Sequence, residues 1–301
     1  LATLTTSQSF HAGDPVHSGR VQNEALTWQQ SGVLCAGLLA TAATLHVSGR
    51  PRVRVLIPYA RETAIIAGLY ALWQLAGTMS VLGTSGAFAR ARWIERVQHD
   101  VGLPAERSVQ NAITGHPLLV QACNYYYATM HFGALFVFLL WLFLRHRDRY
   151  PRIRLTLALL TLVSLVIQLL PVAPPRLLPG YIDTAAQYGQ SVYSLGLAPD
   201  QLSAMPSLHV GWAVLIAWSV VRVSDSPWRW LVVLHPACTA YVVAATANHF
   251  WLDGVVAVLV LGLCIVGQLT GRRAVDARRT RRQSSAAGRN EVDAEIAEAV
   301  A

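Results

Sequence analysis

Long apolar runs alternate with short, arginine-bearing polar stretches along most of the chain. A helix that crosses a bilayer needs about 20 mostly apolar residues. Segments that meet or approach this length run at about 31–48, 63–83, 125–144, 153–171, 207–223, 229–247 and 252–270. The first is short and holds His46 and several threonines, so the pattern predicts seven spans, with six as the fallback. No internal repeat is visible. The expected organisation is a polar tail over 1–30, a transmembrane domain over 31–271 and a polar tail over 272–301.

Composition narrows the class. Of the 301 residues, 53% are hydrophobic and 13% charged, whereas a soluble domain carries about 25% charged residues. The net charge of +8 comes entirely from arginine, since the chain has no lysine. The arginines sit between apolar runs rather than on a soluble domain, which excludes a nucleic-acid-binding reading. Cys35, Cys123, Cys238 and Cys264 all lie in or beside apolar segments, and none forms a C-x-x-C pair. They read as small buried hydrophobes. The first thirty residues lack the basic start and apolar stretch of a secretory signal.

Arginine placement sets the expected orientation, because cytoplasmic loops are enriched in Arg and Lys. Arg50, Arg52 and Arg54 follow the first segment, and Arg145 to Arg154 crowd the link after the third. Arg222 and Arg229 flank a further link, and Arg272 to Arg282 fill the tail. With seven spans all four clusters share one side, expected to be the cytoplasm. Residues 88–112 run against this count, carrying Arg90, Arg92, Arg96 and Arg107 on the other side. The spacing of Phe88, Trp93 and Val97 predicts a short helix lying on the membrane surface there. Arg61 and Glu62, which open the second segment, read as an interfacial ion pair.

Ionisable groups inside membrane helices are costly and are functional candidates by default. Three clusters share the expected outer side: Arg176 in PPRLLP, Ser207 and His209 in AMPSLH, and His249 and Asp253 in NHFWLD. His249 and Asp253 are four residues apart, which places them on one helical face. A carboxylate there can accept from one ring nitrogen and leave the other free to attack phosphorus, without a metal. Arg176 offers a planar fork of donors for phosphate oxygens. Ser207 and helix-start amides add anion donors, and His209 can protonate the departing oxygen. Asn124, Tyr127 and His131 share one face of the third span and are candidates for binding a substrate headgroup. Plainer readings stand beside these: a histidine bonding a backbone carbonyl, an interfacial arginine, helix–helix hydrogen bonding by the Asn124 face, or metal ligation by His209, His249 and Asp253.

On these motifs, over about residues 125–270, the chain resembles the type 2 phosphatidic acid phosphatase superfamily. Within it, the chain is most similar to the branch of inositol phosphorylceramide synthase. The resemblance implies that His249 is the nucleophile, Asp253 its orienting partner, His209 the general acid, and Ser207 and Arg176 phosphate ligands. The chain departs from the commoner phosphatase pattern at Leu169 and Val243, where that pattern has cations, and at Leu208, where it has glycine.

The expectation is therefore an all-α polytopic membrane bundle, a six-helix catalytic core preceded by one extra N-terminal span. It should sit in the cell membrane with its site facing outside and its C-terminus in the cytoplasm. The chemistry expected is cofactor-free transfer of a phosphoryl or phospho-headgroup unit from a lipid phosphate or phospholipid through a phosphohistidine, extending to inositol-phosphoryl transfer. A simple lipid-phosphate phosphatase is the near alternative. A lipid transporter or scramblase would spread its polar groups through membrane depth, and a serine protease would want a G-x-S-x-G turn at Ser207. The sequence has neither feature.

Overall fold

Residues 27–48, 51–78, 86–188 and 201–300 are described by the computed structural model. Most of the expected tail over 1–30, the end of the segment at 63–83 and the middle of the loop after Pro171 lie outside these residues. Every expected segment is helical: α1 (Trp28–Val47), α3 (Ile57–Thr78) after the short α2 (Pro51–Arg54), α6 (Pro117–Arg145), α7 (Tyr150–Gln168), α9 (Leu208–Val223), α10 (Leu234–Ala245) and α11 (Trp251–Val300). Two shorter helices, α4 (Ala87–Asp100) and α5 (Glu106–Thr114), precede α6, and α8 (Thr184–Gln187) follows α7. No strand forms among the described residues, only an isolated bridge between Val172 and Ser203. The protein is an all-helical membrane bundle.

The starts and stops follow local chemistry. Thr27 and Gln30 form a capping box on α1, Pro117 and Pro151 occupy the first turns of α6 and α7, and Ser207 caps α9. Proline has no N–H to lose there, and a capping oxygen satisfies an otherwise orphaned donor. Among the described residues, four helices are long and apolar enough to cross a membrane: Trp28–Val47, Pro117–Arg145, Tyr150–Gln168 and Trp251–Arg278, with Leu208–Val223 a shorter apolar helix. The brevity of α9 and α10 has a reason. At one end of the bundle the chain unwinds into loops, which membrane depth tolerates only where protein groups satisfy the backbone.

Packing brings α7, α9 and α11 into direct contact. A Cβ added to Gly254 would lie 3.3 Å from Val210 Cγ1, and one on Gly211 would lie 3.4 Å from Ala257 Cβ and Leu160 Cδ2. These glycines let the helices close to van der Waals distance. Leu157, Leu160, Leu215, Val260 and Leu261 fill the space between them. The outer faces carry Phe136, Val137, Val166 and Leu263 exposed, as a lipid-facing surface requires.

α1 packs along α3, and α3 meets α7. That contact corrects one expectation. Glu62 does not pair with Arg61. It accepts from Tyr150 Oη at 2.9 Å and forms an ion pair with Arg154, tying the N-terminal hairpin to α7. A surface-facing Arg61 gains little by folding back, whereas Arg154 is half-buried and needs a carboxylate. The stretch at 88–112 also differs: it is two helices, broken at Gly102 (φ 75°) and Pro104. Ala87, Ala91, Ile94 and Gln98 face inward against the loop after α7, while Phe88 and Trp93 stay exposed.

Candidate active site

Three loop segments meet at the end of the bundle where α7 and α10 stop and α9 and α11 start. Main-chain hydrogen bonds tie each pair of segments together. Val172 donates to Leu202 at 2.6 Å and accepts from Ala204 at 3.2 Å, Arg176 donates to Ala247 at 2.8 Å, and Ser207 donates to Asp253 at 3.0 Å. The motifs that the sequence separates by tens of residues are thus one hydrogen-bonded unit.

The turn before His249 uses Ala247 at φ 51°, a left-handed conformation that side chains other than glycine rarely adopt. It directs the Asn248 and His249 amides to the Val243 carbonyl at 2.9 and 3.2 Å. His249 is 6% exposed. Its Nδ1 lies 2.7 Å from the Ala204 carbonyl and 3.4 Å from Asp253 Oδ2. A carbonyl oxygen can only accept, so Nδ1 carries the proton and Nε2 presents a lone pair. Asp253 is therefore one of two groups facing Nδ1, and the backbone carbonyl makes the shorter contact. Asp253 Oδ2 also accepts from the Phe250 amide at 2.8 Å, which fixes the carboxylate.

The Nε2 lone pair faces His209 Nδ1 at 3.3 Å. Two acceptors cannot share that contact, so in the neutral pair His209 Nδ1 is the donor. His209 stacks on Tyr127, with ring centroids 4.3 Å apart, and His131 lies 4.2 Å away. The expected face of α6 thus splits. Tyr127 and His131 line the histidine pair, whereas buried Asn124 accepts from Thr184 Oγ1 at 2.9 Å and anchors α8.

Arg176 is buried in a 3-10 turn, Pro175–Leu177, and its Nε donates to Asp183 Oδ2 at 3.2 Å. Asp183 also caps α8 by accepting from the Ala186 amide at 3.0 Å. Ser207 is fully buried, and its hydroxyl caps the Val210 amide at 3.4 Å.

Sequence reasoning missed the groups that hold α11 in place. A helix start leaves amides unsatisfied, and here distant side chains supply the acceptors. Glu106 Oε1 accepts from the Trp251 amide at 2.9 Å, and Gln98 Oε1 accepts from the Leu252 amide at 2.9 Å. Gln98 Nε2 donates back to Glu106 at 2.9 Å. Burial pushes the Glu106 carboxyl above its ordinary range, opposed by these hydrogen bonds. The same two helices grip the loop after α7: Arg90 bonds the Pro171 carbonyl, Arg107 the Pro179 carbonyl, and Gln110 both polar groups of Ile182. Nothing in the spacing of Gln98 and Glu106 points to α11, so no local signal could have found them. Asp183, seven residues after Arg176, was not singled out either.

No curated protein and no solved structure matches the chain. One family model, described as the PAP2 superfamily, matches residues 92–267. The match begins inside α4 and ends inside α11, so it takes in the α4–α5 pair and every site residue but leaves the α1–α3 hairpin outside. With more than half its length matched, the chain belongs to the PAP2 superfamily, and its activity is of the lipid phosphatase or phosphotransferase type.

Proposed function

We propose that the protein moves a phosphoryl or phospho-headgroup unit from a membrane lipid to an acceptor through a phosphohistidine on His249. The observation that carries this is the His249 imidazole, whose Nδ1–H is held by the Ala204 carbonyl at 2.7 Å while Nε2 faces His209. An imidazole so held is a nucleophile with its lone pair already aimed. Nε2 attacks phosphorus, the bond from phosphorus to the leaving oxygen breaks, and His209, entering the step as the imidazolium beside the phosphate anion, gives its Nδ1 proton to that oxygen and is left neutral. In the second half the acceptor hydroxyl attacks, His209 takes its proton, and the nitrogen–phosphorus bond breaks. Arg176 and the Ser207 helix start stabilise the phosphate oxygens.

Charge favours a diester substrate. A phosphate monoester carries close to two negative charges near neutral pH, and a diester carries one. Arg176 is the cation of the three motifs, and Asp183 already offsets part of its charge. With Leu169 and Val243 where the commoner pattern has cations, the site suits a phospholipid diester. This agrees with the resemblance to the inositol-phosphoryl transferase branch. The arginine distribution supports a site facing the outer leaflet of the cell membrane and a cytoplasmic C-terminus.

The test is a paired assay on purified protein: phosphate release from phosphatidic acid against headgroup transfer from phosphatidylinositol to an alcohol-bearing lipid. Transfer should exceed monoester hydrolysis. Rapid monoester hydrolysis with no transfer product would return the protein to the simple phosphatases.

A further inference from the structure

At the end of the bundle opposite His249, α7, α9 and α11 diverge around a cleft of ≈ 180 Å³. Each helix lines it with the same pair, a small polar side chain on the floor and an arginine one turn farther out. These are Thr156 and Arg152 on α7, Ser219 and Arg222 on α9, and Gln268 and Arg272 on α11. Spacings of three and four residues put each pair on one helical face. Arg149 joins the rim, but it is bonded to Asp148 at 2.9 Å with both groups exposed.

The floor is built and incomplete. Thr156 is 4% and Ser219 0% exposed. Gln268 Nε2 donates to Thr156 Oγ1 at 2.7 Å, and Thr156 Oγ1 donates to the Arg152 carbonyl at 3.1 Å. Ser219 Oγ lies fully buried with no hydrogen-bond partner among the described residues. A buried hydroxyl left unsatisfied is destabilising, and a ligand oxygen on the floor of the cleft would satisfy it.

The rim is cationic and uncompensated. Arg152, Arg222 and Arg272 make no ion pair with a carboxylate within 4.0 Å among the described residues. Arg222 lies over the Trp218 ring at 5.1 Å, which steadies its guanidinium. Cytoplasmic orientation alone asks only for arginines in loops. It does not ask for three of them around a concavity floored by hydroxyl and amide groups.

We propose that this cleft binds a phosphate-bearing polyanion, supplied by an anionic lipid headgroup or by a soluble polyphosphate. Guanidinium forks match phosphate oxygens, and basic pockets between membrane helices suit anionic headgroups. The bound anion joins α7, α9 and α11 on the side away from the site, and two of these, α9 and α11, carry His209 and Asp253 at the site. Occupancy therefore stiffens the frame of the catalytic end.

The experiment is thermal unfolding of the full chain, titrated in two arms. One adds pyrophosphate in neutral detergent, with sodium chloride matched for ionic strength. The other compares nanodiscs of phosphatidylcholine with and without a phosphoinositide bisphosphate. A saturable rise of several degrees is expected in at least one arm. A rise confined to nanodiscs assigns a lipid headgroup, and a rise with pyrophosphate assigns a soluble anion. The rise should vanish in Arg152→Gln/Arg222→Gln/Arg272→Gln and persist in Arg176→Gln at the other end. If the triple variant does not fold, Ser219→Val fills the floor, keeps every arginine, and should weaken binding at least several-fold. No saturable rise in either arm overturns the proposal, as does an undiminished rise in the cleft variants.

Discussion

The two ends of the bundle handle ionisable groups in opposite ways. At one end, Asp253 is 0% exposed and His249 and Arg176 are each 6% exposed. Each has a hydrogen-bond partner within the three loop segments or the helix start beside them, and that of His249 lies 45 residues away. At the other end, Arg222 and Arg272 stand exposed, and their charges are left to solvent or a ligand. The buried end fixes which atom carries a proton and which presents a lone pair. The exposed end fixes charge and orientation but no single geometry. The proposed chemistry is placed at the first end, where a low dielectric and satisfied partners make small geometric changes energetically large.

That contrast is broken or sharpened by substitution. The largest effect is expected at His249. His249→Ala should lower turnover by roughly 10⁴-fold or more, as loss of a nucleophile does in comparable enzymes, and abolish covalent labelling by a phosphorylated substrate. Retention of labelling, read on gels after an alkaline quench that preserves the nitrogen–phosphorus bond, would remove His249 from the mechanism.

His209→Ala should cost less, about 10²–10⁴-fold for a lipid alcohol leaving group, the range of general acid catalysis. A substrate with a nitrophenolate leaving group needs no proton, so its phosphohistidine should still form at a rate close to that of the unmodified protein. Equal loss for both leaving groups, measured in single-turnover kinetics, would argue that His209 only shapes the pocket.

The smallest effect is on stability, at Glu106. Glu106→Ala removes the acceptor for the Trp251 amide and leaves Gln98 unmatched, with an expected cost of about 1–2 kcal/mol. Glu106→Gln keeps an acceptor and should fold normally. Its pH response is the sharper measurement. The Glu106 carboxyl is raised by burial, so the folded state holds its proton to higher pH than the unfolded chain. Stability from this group is present at low pH and declines as pH rises through the interval between the two values. Thermal melts of the unmodified protein should show that decline from about pH 4.5 upward, and Glu106→Gln should flatten it. An unchanged slope in the variant would assign the titration to another group.

Much of the architecture was legible because a bilayer imposes a length and a composition that a sequence displays directly. The described parts of all seven apolar segments are largely helical, and α1, α6, α7 and α11 include stretches that meet the criteria for crossing a membrane. The amphipathic stretch at 88–112 was read as one short helix and is two, because Gly102 and Pro104 form a brief break within an otherwise continuous charge pattern. Glu62 was assigned to its sequence neighbour Arg61 when Arg154, 92 residues away, was the partner. Of the site face on α6, Tyr127 and His131 lie against the histidine pair, while Asn124 serves α8 instead.

Residue order was enough to give the helical class, the clusters of arginine between apolar runs, and the residue types of the proposed phosphate site in three ordered motifs. These are local properties: apolar run length, the i, i+4 spacing of His249 and Asp253, and the donors of an arginine. The tertiary structure alone decided that a backbone carbonyl, that of Ala204, makes the shorter contact with His249 Nδ1. It also decided that Asp183 offsets Arg176 and that Gln98 and Glu106 seat the first turn of α11. The first and last depend on where a loop places an atom relative to a residue far away in the chain, and the pairing of Arg176 with Asp183 depends on how one loop folds back on itself. Such contacts carry no periodic signature, because a buried polar group takes whichever acceptor the folded chain brings within reach.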